Sequence, residues 1–150
     1  MKIVTEQLKI NNVNPNPEFH GEEKVDATDM SLKGTLTSDQ FKQFFREDES
    51  WEHFEKFAWG NEGDQKTVDI GKFALNYKHD ECRVTFEAGG KSHSLQVKLS
   101  KIKGTVELSK TADVEFHLKG YPSGDQREDL IAWTFEEGVK ITLEAGDLFD

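Results

Sequence analysis

The side chains in this sequence able to do nucleophilic, acid–base or metal chemistry are five histidines, one cysteine and a large set of carboxylates, so their spacing is the first question. His20 has Glu18, Glu22 and Glu23 close by, a mixed nitrogen and oxygen donor set of the kind that divalent metals accept. Their spacing follows no defined ligand pattern, and donor types alone do not supply the geometry a metal needs. A solvated loop with no metal and no cofactor is the expectation there. His79, Asp80, Glu81 and Cys82 set a thiol beside possible bases, as nucleophilic cysteine chemistry requires. Adjacent residues of a strand point to opposite faces, however, and Cys82 shares its parity with Val84 and Phe86, so it reads as a small buried hydrophobe. The sequence has no phosphate-binding glycine pattern, no paired cysteines and no serine in a nucleophile elbow. No catalytic residue is assigned, and a non-enzymatic protein is expected. The alternative, an enzyme with a carboxylate or histidine site, needs a pocket that joins His20 or His79 to several acids.

The carboxylates are more informative as surface charge. Glu47, Asp48, Glu49, Glu52 and Glu55 follow one another without an intervening Lys or Arg, and Glu128, Asp129, Glu136 and Glu137 form a second group. Charge runs are usually solvated faces. The sharper reading makes both groups a partner-binding surface for a basic, nucleic-acid-binding protein, because complementary fields speed encounter and set orientation. A formal net charge of −10 argues against direct binding of nucleic acid, which draws on clustered Lys and Arg. The charge is uneven: residues 18–29, 46–64 and 125–150 are net acidic, whereas 65–124 are net basic.

The elements that must carry these residues centre on Phe73 to Leu118, which reads as four consecutive strands in antiparallel pairing. Phe73, Leu75 and Tyr77 alternate, as do Cys82, Val84 and Phe86, then Leu95, Val97 and Leu99, and finally Val114, Phe116 and Leu118. Lys78 to Glu81 and Lys110 to Asp113 supply turns, and Ala88-Gly89-Gly90 permits the positive φ of a tight hairpin. Ile102, Val106 and Leu108 break register across Gly104, which predicts a bend or bulge.

Upstream, Lys2 to Asn11 alternates as one strand, although neither of its faces is cleanly apolar. Asn12 to Gly21, with Pro15 and Pro17, reads as a loop. Lys24 to Leu36 is strand-like, with Met30, Leu32 and Leu36 on one side and Gly34 marking a bulge or a close approach of another backbone. Thr37 to Gly60 is helical, with Phe41, Phe44, Phe45, Trp51, Phe54 and Ala58 at intervals of three and four; these are read as core. Thr37 with Gln40 has the spacing of a capping box, and the Glu47 to Ser50 stretch divides the region into two helices. Asn61 to Asp69 is a loop. Downstream, Asp125 to Glu137 is helical, with Leu130, Ile131 and Thr134 on one side and Gly138 ending it. Val139, Ile141 and Leu143 form a last strand, and Glu144 to Asp150 is an acidic tail.

The length suits one domain over residues 1–150, and eleven Phe and three Trp concentrate buried area in few positions. The lone cysteine and the lack of an apolar leader favour a cytoplasmic setting, and no apolar run approaches the roughly 20 residues that cross a bilayer. The fold class expected is α+β: a mostly antiparallel β-sheet, as a sandwich or partly closed barrel, with two or three short helices packed on it.

At Asn14-Pro15-Asn16-Pro17-Glu18-Phe19-His20-Gly21-Glu22-Glu23-Lys24-Val25, followed by Asp29-Met30-Ser31-Leu32, the sequence resembles a group of tailed-bacteriophage proteins. Gly89-Gly90-Lys91-Ser92 and Val139-Lys140-Ile141-Thr142-Leu143 resemble the same group, whereas residues 37–60 depart from it. The resemblance implies an early-expressed, non-virion protein acting inside the infected bacterial host. With the acidic groups, it implies an inhibitor that binds a host protein and blocks nucleic-acid-related work, of the anti-CRISPR or anti-restriction type. An accessory assembly partner in phage DNA replication or recombination is the alternative.

Overall fold

The computed structural model describes residues 2–45, 48–60, 71–75, 78–107 and 109–145. Its elements are β1 (Lys2–Thr5), β2 (Leu8–Pro15), β3 (Glu18–His20), β4 (Glu23–Val25), β5 (Thr28–Thr37), α1 (Ser38–Lys42), α2 (Asp48–Trp59), β6 (Lys72–Leu75), β7 (His79–Ala88), β8 (Lys91–Glu107), β9 (Thr111–Gly120), α3 (Gly124–Trp133) and β10 (Lys140–Ala145). An antiparallel sheet runs β1-β10-β7-β8-β9-β5-β2, with β6 paired to the second half of β8; β3 and β4 form a separate hairpin. β1 and β2 stand at opposite ends of that order, yet only Glu6 and Gln7 separate them in the chain. The sheet therefore curls until its two ends are neighbours, which is the partly closed barrel among the expected α+β architectures.

Strand alternation sorts the side chains. On β9, Ala112, Val114, Phe116 and Leu118 are buried, while Asp113, Glu115, His117 and Lys119 face out. On β8, Leu95, Val97 and Leu99 are buried, then Ile102 and Val106; the change of parity is made by a bulge at Ser100, where pairing with β9 shifts between Leu99 and Lys101. The expected register break exists, but it lies four residues before Gly104. β6 and β7 lie one after the other along the same side of β8, so β6 does not pair with its successor.

The barrel ends are closed by helices. Thr37 caps α1 with Gln40 completing the capping box, as its spacing predicts. Phe41, Phe44, Trp51, Phe54 and Ala58 are buried, and Phe44 stacks on Phe116 with ring centroids 4.8 Å apart. Trp59 donates its indole N–H to the Glu107 carbonyl at 2.8 Å, fixing the end of α2 beside the β8–β9 turn. At the other end, Ser123 and Gln126 form a second capping box on α3, and the buried Trp133 lies against the His93 ring at 5.4 Å.

Several boundaries differ from the sequence reading for identifiable reasons. Lys2 to Asn11 is two strands, with Ile3 and Thr5 buried in the first and Leu8 and Ile10 in the second. The inward parity switches across Glu6–Gln7, so no single face could look apolar. The Asn12 to Gly21 stretch holds strand as far as Pro15 and then β3; β2 is an edge strand, where proline is tolerated. His79 already belongs to β7, and the irregularity sits inside that strand, between His79 and Cys82. The turn before β9 is shorter than read because Lys110, at φ 59°, reverses the chain in place. Gly89 and Gly90 take the expected positive φ values, 56° and 79°.

α3 ends at Trp133 rather than Glu137, with the Thr134 hydroxyl donating to the Ile131 carbonyl; Leu130 and Trp133 are buried while Ile131 stays exposed. Glu144 is part of β10 and is held by Arg83, so the acidic tail begins later. The expectations for Asn61 to Asp69, Tyr77, Leu108 and residues 146–150 fall outside the described residues.

Gly34 sits where the β1–β2 connection passes over β5: a Cβ there would overlap the Gln7 carbonyl oxygen and crowd the Leu8 backbone. Backbone cannot yield as a side-chain tip can. Gly34→Ala is expected to lower unfolding free energy by about 1–3 kcal/mol or more, measured by urea denaturation. A variant with wild-type stability would show that the crossing is looser than described.

Candidate functional site

The two acidic groups occupy opposite ends of the barrel. Asp48, Glu49, Glu52 and Glu55 lie on α2, whose last residue is bonded beside the β8–β9 turn; Glu47 falls outside the described residues. Glu128 and Asp129 lie on α3, which is bonded to the start of β8 through His93, and Glu136 and Glu137 precede β10, whose Lys140 pairs with Glu87 beside the β7–β8 turn. Along β9 these two ends are separated by the full ten-residue strand, roughly 30 Å. The structure therefore does not unite the described members of the two groups into one docking face.

The ends also differ in how their acids are used. On α2, Glu49 and Glu52 are exposed and Glu55 is half-buried; Glu49 faces His53 at 3.9 Å, and among the described residues neither Glu52 nor Glu55 has an ion-pair partner. The buried face of α2 is taken by Trp51, Phe54 and Ala58, which leaves the carboxylates toward water. At the α3 end, the Asp129 carboxylate meets His93 Nε2 at 2.7 Å and Lys91 Nζ at 3.5 Å. The His93 hydrogen bond, aided by Lys91, holds Asp129 below the usual aspartate range. Glu144 is likewise held down, first by the Arg83 hydrogen bond at 2.8 Å. Asp129 is thus an anchor of α3 to the sheet. Glu128, Glu136 and Glu137 remain exposed.

His20 pairs with Glu18 at 3.2 Å on the exposed β3–β4 hairpin, and no group of three potential metal ligands occurs among the described residues. His79 and Cys82 are both buried, and the thiol donates to the His79 carbonyl at 3.9 Å. Cys82 is the core residue its parity predicts.

A feature that a segment-by-segment reading missed is the outer face of β5, β9 and β8. Register places Lys33 and Lys103 on either side of Glu115, and Lys98 beside Lys119. The Ser100 bulge lets Lys98, Lys101 and Lys103 all face outward, and Lys72 on β6 joins them opposite Thr105. An open cleft of about 440 Å³ runs between Lys33, Lys72 and Lys103, with Asp113 and Glu115 also in its lining. The net basic character of residues 65–124 was the one sequence signal for it; the contribution of Lys33 needed the pairing of β5 with β9.

Among the described residues no helix is long and apolar enough to cross a membrane. Comparison with protein-family models, with curated proteins and with solved structures found no match. What the protein does must therefore be argued from its own surface.

The lowered pKa of Asp129 has a definite pH consequence. A carboxyl held below its unfolded value contributes stability above the unfolded pKa, near 4, and loses it as pH falls through the folded value. The melting-temperature gap between the protein and Asp129→Asn should be widest above about pH 4 and narrow as pH falls below it. A gap that stays constant over that range would show that the carboxylate does not anchor α3.

Proposed function

We propose that this is a non-enzymatic binding protein that docks through the acidic, exposed side of α2 onto the basic surface of a nucleic-acid-binding protein. The observation that carries the reading is that Glu52 and Glu55 on α2 have no internal cation among the described residues, whereas Asp129 on α3 is bound by His93 and Lys91. A rigid helix bearing unpaired carboxylates, backed by an aromatic core, presents charge at low conformational cost and favours fast, oriented encounter. Glu47 and Asp48 extend the same stretch of sequence. The exposed Glu128, Glu136 and Glu137 are assigned to solvation.

The sequence resemblance supports a setting in the phage-infected cell, and the inhibitor reading makes the partner a host defence nuclease or its assembly factor. The lysine-bearing outer face favours a second reading, an accessory partner in phage DNA replication or recombination, since it offers a surface of opposite sign on the same molecule.

The test is capture from bacterial lysate with purified protein, read by mass spectrometry. Glu49→Lys, Glu52→Lys and Glu55→Lys together should abolish capture of a nucleic-acid-binding protein, and about 0.5 M salt should release it, because the Debye length is then only a few ångströms. The same reversal at Glu128, Glu136 and Glu137 should leave capture intact. Equal capture by all three proteins would remove α2 from the account.

A further inference from the structure

The outer face of β5, β9, β8 and β6 carries lysines in a pattern that the rest of the molecule does not explain. The chain holds 29 acidic residues against 19 basic ones, so partners for lysine are plentiful. Even so, Lys33, Lys72, Lys98 and Lys101 have no ion pair among the described residues, and Lys103 reaches only Glu115, at 3.9 Å. The acids on this face keep their charge but are outnumbered: Asp113 accepts from the Thr35 hydroxyl, Asp29 from Asn16, and Glu115 lies 3.0 Å from His117 Nε2, set against Lys33, Lys72, Lys98, Lys101 and Lys103.

The lysines form a track. Lys101 and Lys103 are two strand residues apart, about 7 Å, and the bulge adds Lys98 to the same side of β8. Lys33 lies two strands away from Lys103, about 10 Å across the cleft, with Lys72 on its far side. At the Lys98 end the track meets Lys119, which pairs with Glu18, and Tyr121, whose hydroxyl donates to that carboxylate at 3.1 Å while its ring stays 42% exposed. Phe19, 71% exposed, sits on the same hairpin as Glu18.

We infer that this face binds single-stranded nucleic acid, with the lysines following the phosphates and Tyr121 stacking on a base. Backbone-tracking point charges beside exposed aromatic rings are the pattern by which single strands are held without sequence preference. A duplex is a poorer fit: among the described residues the lysines lie on a sheet wall, and the ribbon beside it, β3–β4, carries Glu18, Glu22 and Glu23, charges that a phosphate-lined groove repels. The net charge of −10 does not oppose this, since it sums over the molecule, whereas binding responds to the local field within about a Debye length of 8–10 Å. Among the described residues the α2 carboxylates do not line the cleft, although Phe54 of α2 packs on the Phe73 ring that does.

The experiment is fluorescence anisotropy with a labelled oligo(dT) strand and the full chain, from about 50 to 200 mM salt. Binding is expected to weaken with a log–log slope of roughly −3, as four or five neutralised phosphates on a single strand require. Lys98→Glu with Lys101→Glu should weaken it at least ten-fold, and Lys33→Glu with Lys72→Glu similarly, each checked for an unchanged melting temperature. Tyr121→Ala should weaken oligo(dT) at least about five-fold but leave inorganic polyphosphate binding unchanged, which separates stacking from charge alone. Glu49→Lys with Glu52→Lys should not weaken the oligonucleotide. Absence of salt-sensitive binding would overturn the inference, as would insensitivity to both lysine pairs or a preference for duplex. Sedimentation showing that the lysine face instead joins a second copy through its acidic α2, with no oligonucleotide bound, would also overturn it.

Discussion

The two ends of the sheet are tied by a connection two residues long, and that tie sets the shape of everything else. β1 is bonded to β10 and β2 to β5, so a chain that passes from one to the other in Glu6–Gln7 can be accommodated only if the sheet rolls. The roll brings the Gln7 backbone onto β5 at the one place where β5 has no side chain, Gly34. Once rolled, the sheet has an inside and an outside, and strand alternation assigns every residue of β5, β8 and β9 to one or the other. The inside accepts Phe44 on Phe116 and the aromatic set of α1 and α2 as an end plug, while α3 closes the other end through Leu130 and Trp133.

Function follows from what the roll leaves outside. The plug at the β8–β9 end turns the carboxylates of α2 toward solvent, and the outward residues of the wall collect lysines from strands far apart in sequence. An acidic end and a basic wall on one small barrel suit a protein that works at the boundary between a protein partner and a nucleic acid. The α3 end is different in kind, because Asp129 is used to hold the helix to His93 and Lys91.

Much of the fold was legible from local pattern. The period-two rows of β7 and β9, the capping box at Thr37–Gln40, the double glycine of the β7–β8 turn and the close approach at Gly34 each have a local physical signature. Gly104 looks like the natural break, yet the bulge lies four residues earlier at Ser100; the glycine instead lets the Asp113 carbonyl and the Phe73 ring approach. The first strand was read as one because its change of parity depends on joining two distant sheet edges. The acidic residues were visible as charges, but their separation to two ends, and the engagement of Asp129, depend on tertiary placement. The lysine track was hidden for the same reason: Lys33 and Lys103 are neighbours only across β9.

Acidic residues on α2 and lysines on the sheet wall are the two surfaces to which we propose separate uses. Backbone amide NMR of the isotope-labelled protein, titrated in parallel with a short oligo(dT) strand and with a lysine-rich peptide, reads both surfaces in one molecule. The account predicts two disjoint sets of shifted amides: β5, β8, β9 and Tyr121 for the oligonucleotide, and α2 for the peptide. Overlapping sets, or oligonucleotide shifts centred on α2 or α3, would contradict it.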